Sequence, residues 1–165
     1  MRVSRLATAI GAAVIMSACG GTGTQESGTT QDTVTVAMGP TTPTTGTATA
    51  APITGTTHEV RMLGDETGYR YEPANLTIKA GDGVRFINVN GSPHDISFDP
   101  NTIPAAGRAQ LTANMPNQRA ELTSQLFIQP NETYTISFGN VAPGNYPFIC
   151  IPHLAMGMRG QITVQ

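Results

Sequence analysis

The sequence has no tryptophan, little charge and no long hydrophobic run. Charged residues make up 12% of its 165 residues, about half of the roughly 25% that is usual in globular domains. The formal net charge of −2 provides no positive field to recruit nucleic acid. No apolar run reaches the roughly 18 residues of a membrane-spanning helix. Two cysteines and three histidines exclude a disulfide-stapled miniprotein and a four-cysteine zinc module.

The first 18 residues have the pattern of a secretory signal peptide. Arg2 and Arg5 form a positive start, residues 6–16 are a short apolar stretch, and small residues precede Cys19. The run 16–19, Met-Ser-Ala-Cys, resembles a bacterial lipobox, whose cysteine becomes the acylated first residue of the mature chain. The resemblance implies a lipid anchor on Cys19, which holds a protein on a membrane without spanning it. The expected location is the cell envelope, on the periplasmic or extracytoplasmic side of the cytoplasmic membrane, and ordinary secretion is the alternative.

After lipidated Cys19, residues 20–57 have the composition of a flexible tether. They contain 15 threonines and 7 glycines, and no lysine, arginine or aromatic residue. Such a segment buries too little apolar surface to offset the entropy of ordering it. As a flexible coil it would reach about 35 Å. Residues 58–165 then form a single domain of common size.

The domain is predicted to be all-β. Apolar and polar residues alternate in 59–62, 76–79, 133–138 and 161–165, and turn-forming residues lie at 80–83, 90–91, 129–131 and 142–145. Short strands separated by such turns indicate a β-sandwich or barrel. The connection 105–126 breaks the pattern, and one short helix is predicted in it, over 119–126. In the segments 94–98 and 146–150, His94 and Cys150 lie on the apolar face at a strand end.

A group of metal-binding residue types lies near the C-terminus. Cys150, His153, Met156 and Met158 fall within nine residues, and His94 lies upstream on its own strand. Two histidines, one cysteine and a weak axial methionine are the ligands of blue-copper electron-transfer sites. The soft thiolate and thioether suit Cu(I), and imidazole suits copper more generally. A single cysteine, histidine or methionine would more simply be a core residue, but the set together favours a copper site.

Residues 58–165 resemble a plastocyanin-type cupredoxin. The resemblance rests on residues 93–99 (PHDISFD), on 131–134 (NETY) and above all on 144–164 (GNYPFICIPHLAMGMRGQITV). It implies a Greek-key β-sandwich that binds one type 1 copper ion through His94, Cys150, His153 and Met158. Met158 has the plastocyanin spacing, eight residues after Cys150 and two before a glycine. Met156 has a spacing closer to that of amicyanins and is the alternative axial ligand.

The resemblance also bears on the surroundings of the ligands. Plastocyanins usually have asparagine at position 95 and a hydroxyl residue at position 151, which together tie the ligand loop. Here Asp95 and Ile151 stand there, so the tie is expected to be altered. His58 matches no motif position and is interpreted as a surface residue. Tyr69, Tyr71 and Tyr134 are interpreted as core residues rather than redox relays.

The function implied by the resemblance is one-electron transfer, not enzymatic catalysis, because a four-ligand site leaves no open position for substrate. Partners would dock on an apolar patch around His153, with Pro93, Leu154, Ala155 and Met156 as its candidate residues. The expected partners are membrane-associated redox proteins such as a c-type cytochrome or a terminal oxidase, and the carrier is expected to be a monomer. A copper-delivery lipoprotein and a metal-free interaction module are the alternatives.

Overall fold

The computed structural model describes residues 48–165. The predicted signal peptide, Cys19 and the tether up to residue 47 lie outside the described residues. The described part contains eight strands and one α-helix: β1 Thr57–Asp65, β2 Gly68–Glu72, β3 Asn75–Ile78, β4 Gly83–Asn88, β5 Ser97–Phe98, α1 Ala105–Asn114, β6 Thr133–Ser137, β7 Gly144–Ile149 and β8 Arg159–Val164. A 3₁₀ segment, Ile151–Met156, joins β7 to β8 and is kinked at His153. No helix in residues 48–165 combines the length and hydropathy needed to cross a bilayer.

The strands form two four-stranded sheets. The first has the order β2-β1-β4-β6 and the second has the order β3-β8-β7-β5. The pairs β1–β4 and β3–β8 are parallel, whereas the other neighbours are antiparallel. The predicted all-β sandwich is therefore confirmed.

The core lies between the two sheets. Alternation along the strands turns Val60, Phe86 and Ile136 of the first sheet toward Phe148 and Ile162 of the second, and all five are 0–1% exposed. The rings of Phe86 and Phe148 meet edge to face, with centroids 5.5 Å apart. Cross-sheet contacts of this kind fix how the sheets face each other.

The sandwich has two ends, and the predicted ligands lie at one of them. We call the end where β4 stops at Asn88 and β7 stops at Ile149 the ligand pole. At the opposite end, which we call the entry pole, β4 begins at Gly83 and β8 stops at Val164. The chain enters the domain at this second end.

Residues 51–56, which the sequence assigns to the tether, are hydrogen-bonded to the entry pole. Thr54 and Gly55 both donate their N–H groups to the carbonyl of Gly81, at 2.9 Å. The N–H of Thr56 donates to Asp82 Oδ1 at 2.8 Å. Among the described residues, the packing of the chain onto the domain therefore begins before residue 58.

The helix of the long connection is not where it was predicted. It is α1, Ala105–Asn114, which contains four alanines, the residue that most favours a helix. The predicted helix over 119–126 is wrong, because Leu122 has a positive φ of 56°. The residues after Leu122 instead pair their backbone with the segment that carries His94: the N–H of Ser124 donates to the carbonyl of Ile96 at 2.9 Å.

Candidate metal centre

Backbone hydrogen bonds hold the candidate ligands in place at the ligand pole. His94 precedes β5, and its N–H and carbonyl both bond to Phe127, at 3.0 and 2.9 Å. Cys150 follows β7 and donates its N–H to the carbonyl of Met158 at 3.1 Å. Within the loop, the N–H of His153 donates to the carbonyl of Cys150 and that of Met158 to the carbonyl of His153, both at 3.2 Å. The loop is thus closed on itself.

Three donor atoms converge at the ligand pole. Cys150 Sγ lies 3.7 Å from His94 Nδ1 and 3.4 Å from His153 Nδ1, and the three atoms all lie within 4.8 Å of one another. Donors in a trigonal plane with metal bonds of about 2.1 Å would be about 3.6 Å apart. All three residues are buried. The arrangement fits one metal ion held by two imidazoles and a thiolate.

Burial keeps the two imidazoles in the neutral form that binds a metal. It lowers the pKa of His94 to about 4, with a further contribution from His153. It also lowers the pKa of His153, an effect that the Asp95 carboxylate opposes. Both imidazoles are therefore neutral at pH 7, as a metal ligand must be. Burial raises the pKa of the Cys150 thiol to about 11, so a bound metal must displace the thiol proton.

The two methionines of the loop differ in exposure. Met158 is fully buried, whereas 56% of Met156 is exposed. His58, the third histidine, lies at the entry pole, where its Nε2 is 3.0 Å from Asp82 Oδ2. It is separate from the metal cluster and is half-buried rather than a free surface residue.

Comparison with known proteins decides the family. Residues 58–165 match the family model described as copper binding proteins, plastocyanin/azurin family. The chain belongs to this family. Plastocyanin of Prochlorothrix hollandica is 36% identical over 116 residues, which are 70% of this chain and 79% of that protein. Plastocyanin of Solanum crispum is 36% identical over 106 residues, 64% of this chain and 98% of that protein.

A solved structure of oxidised plastocyanin from Dryopteris crassirhizoma is also similar. The match covers 66% of this chain and all of that protein, at 28% identity and a TM-score of 0.49. Membership of the plastocyanin/azurin family identifies the cofactor as copper. His94, Cys150 and His153 form its candidate site.

In this family member, Asp95 ties the ligand loop to the His94 segment. Its carboxylate is fully buried, and Oδ1 accepts the N–H of Ile151 at 2.7 Å. Oδ2 is bonded to the guanidinium of Arg119. The backbone N–H groups of Asp95 and His153 lie on the side of the Cys150 sulfur and oppose the rise of the thiol pKa. The tie is therefore altered as expected. Here the Asp95 carboxylate accepts the backbone N–H of Ile151, where plastocyanins usually have an asparagine and a hydroxyl side chain.

Two tyrosines of β2 also reach the site. The ring of Tyr69 is stacked on His153, with centroids 3.6 Å apart and planes 10° apart. Tyr71 is buried and donates its hydroxyl to the carbonyl of Asp95 at 2.5 Å. The interpretation as core residues holds for Tyr71 and Tyr134, but it missed the contact of Tyr69 with a candidate ligand. No local pattern predicts that contact, because Tyr69 and His153 are 84 positions apart in the chain.

Proposed function

We propose that this protein is a one-electron carrier with a type 1 copper site, which shuttles electrons between membrane-associated partners outside the cytoplasm. The observation that carries the proposal is the buried convergence of His94 Nδ1, Cys150 Sγ and His153 Nδ1. Bound copper supplies one-electron chemistry by alternating between Cu(II) and Cu(I). The protein supplies a rigid loop, neutral imidazoles and a site closed to solvent, and a loop that rearranges little suits fast electron transfer.

We assign Met158 as the axial ligand. Its side chain is buried and its backbone is bonded to both Cys150 and His153, whereas Met156 points largely to solvent. A closed four-ligand site leaves no position for a substrate, which favours a carrier over an enzyme. Plastocyanin relatives support the same conclusion.

The surface of the ligand pole supports docking of a partner beside His153. The exposed large hydrophobic residues of the described chain are Leu126, Ile128, Ile151, Leu154 and Met156. Three of them belong to the ligand loop, and the other two flank Phe127, which pairs with His94. Pro93 and Ala155 are also exposed. An exposed apolar patch of this kind marks an interaction site, and electrons would enter and leave through His153.

The entry of the chain supports anchoring from the far side. Residues 51–56 are bonded at the entry pole, opposite the candidate copper ligands. A lipid on Cys19 would therefore hold the domain by the end that does not dock. Residues 20–50 remain as a tether of about 30 Å reach, which raises the effective concentration of the carrier at its partners without adding a contact. A c-type cytochrome or a terminal oxidase in the same envelope fits this arrangement.

The absorption and electron paramagnetic resonance spectra of the Cu(II)-loaded full-length protein test the site. We expect an intense blue thiolate-to-copper band with narrow hyperfine splitting, which Cys150→Ser abolishes. Met158→Gln should shift the spectrum, while the matched variant Met156→Gln leaves it unchanged. A pale protein with broad splitting would refute the carrier and favour copper delivery. For the anchor, Cys19→Ser should move the protein from the membrane fraction to the soluble fraction.

A further inference from the structure

The connection between β5 and β6 pairs with the segment that carries the first histidine ligand. The backbone of Phe127 is hydrogen-bonded to both the N–H and the carbonyl of His94. The hydroxyl of Ser124 accepts the N–H of Ile96 at 3.0 Å. The N–H of Ser124 donates to the carbonyl of Ile96 at 2.9 Å. This added pairing buries the face of the segment that carries Asp95, which strand alternation alone would leave in solvent. The connection is thus part of the structure that holds His94 in place.

A cation from the same connection neutralises the carboxylate buried there. The guanidinium of Arg119 pairs with Asp95 Oδ2 and is held by the carbonyl of Ser124, which accepts Nε–H at 3.2 Å. The side chain of Asp95 is fully buried, whereas 43% of the Arg119 side chain is exposed. The other carboxylate oxygen holds the N–H of Ile151. One ion pair therefore joins the connection to the residue next to Cys150.

The charge of Asp95 acts on both neighbouring ligands. Burial is the main influence on Cys150 and His153, and the Asp95 carboxylate adds to the rise of the pKa of the Cys150 thiol and opposes the fall of the pKa of His153. An anion at this position favours the more positive, oxidised form of a bound metal. Removing one partner of a buried pair leaves the other charge uncompensated.

We infer that Arg119 is a positioning residue of the copper site, which cancels the charge of Asp95 and so keeps the reduction potential above the value that Asp95 alone would impose. This inference rests on the proposed function. It gives the connection between β5 and β6 a role in redox tuning. It also explains how the chain accommodates a buried aspartate beside two ligands.

A charge cycle on the full-length copper protein tests the inference. Arg119→Gln should shift the electron-exchange equilibrium with a reference redox protein toward oxidised copper by about threefold to tenfold. Asp95→Asn keeps an oxygen for the N–H of Ile151 but removes the charge, so it should shift the equilibrium the opposite way. The double variant should return to within about twofold of the wild type. Arg108→Gln is the matched control, because Arg108 lies on the same connection and pairs with Glu121 in an exposed ion pair; it should shift nothing.

Thermal unfolding of the copper-free variants provides a second readout. Arg119→Gln should lower Tm in the wild-type background but hardly at all in the Asp95→Asn background. The inference would be overturned if the two single variants shifted the equilibrium in the same direction, or if the double variant did not return it to the wild-type value. A blue wild-type spectrum would still uphold the proposed function in that case. A wild type without a blue band would overturn both. Equal losses of Tm in the two backgrounds would show that Arg119 and Asp95 are not coupled and would refute the inference.

Discussion

Acidification should destabilise the copper-free protein because His94 is buried in its neutral form. Its pKa falls from the usual 6.5 to about 4, mainly through burial. Between these values the unfolded chain binds a proton that the native protein does not, so the free energy of unfolding decreases as pH falls from 6.5 to 4. The contribution is fully present above pH 6.5. At about 1.4 kcal/mol per pKa unit, the full loss is about 3 kcal/mol.

The structure explains why the proton is excluded. The ring of His94 is fully buried, and its Nε2 has no hydrogen-bond partner among residues 48–165. The ring of His153 lies with its centroid 4.9 Å away, so a charge on one ring opposes a charge on the other. A protonated His94 would have neither solvent nor a hydrogen-bonded carboxylate to stabilise it.

Urea unfolding of the copper-free protein at a series of pH values from 7 to 2 measures this loss between pH 6.5 and 4. His94→Leu should flatten most of the slope in that range and leave the part due to His153, whose pKa is also lowered by burial. Asp82 provides an internal control. Hydrogen bonds from the N–H of Lys79 and from His58 lower its pKa to about 2, so its contribution is lost only below pH 3.8, and His94→Leu should retain that loss. An unchanged slope between pH 6.5 and 4 in His94→Leu would refute the reasoning.

Three further predictions concern the candidate copper site and the stability of the domain. Because the pKa of the Cys150 thiol is raised to about 11, Cu(II) binding at pH 8 should release one proton, measured by calorimetry in buffers of different ionisation enthalpy; Cys150→Ser should release none. Tyr69→Leu removes the stack on His153 and should cost about 1 kcal/mol of unfolding free energy, whereas Tyr69→Phe should cost a few tenths at most. Asn114→Ala removes the amide that donates to the carbonyls of Ser137 and Gly139 at 2.9 and 2.8 Å. It should lower the free energy of unfolding in urea by about 2–4 kcal/mol. A loss below about 1 kcal/mol would show that these two hydrogen bonds do not stabilise the domain.

Much of the strand framework could be predicted from local alternation. The predicted alternating segments overlap β1, β3, β6 and β8, and the segment ending at Cys150 overlaps β7. The same alternation is present in β4, where Val84 and Phe86 flank Arg85. The helix failed as a prediction because residues 119–126 pair with the His94 segment, 20 to 30 residues upstream, and that pairing overrides the local preference.

The surroundings of the ligands could be predicted less well than the ligands themselves. Asp95 and Ile151 were identified as an altered tie, but their partner Arg119 carries no local signal, because it lies 24 residues from Asp95. Tyr69 on β2 likewise meets His153 across 84 positions of the chain. Neither contact follows from spacing along one strand.

Local patterns in the sequence specify most of the strands, the turns and the order of His94, Cys150, His153 and the two loop methionines, because alternation and loop spacing are properties of neighbouring residues. Folding brings His94 Nδ1 and Cys150 Sγ to 3.7 Å from each other, buries Met158 while Met156 stays exposed, and pairs Arg119 with Asp95. These facts depend on the packing of the two sheets and on the register of a long connection. Packing and register are set by burial and hydrogen bonding over the whole domain, which no short stretch of sequence encodes.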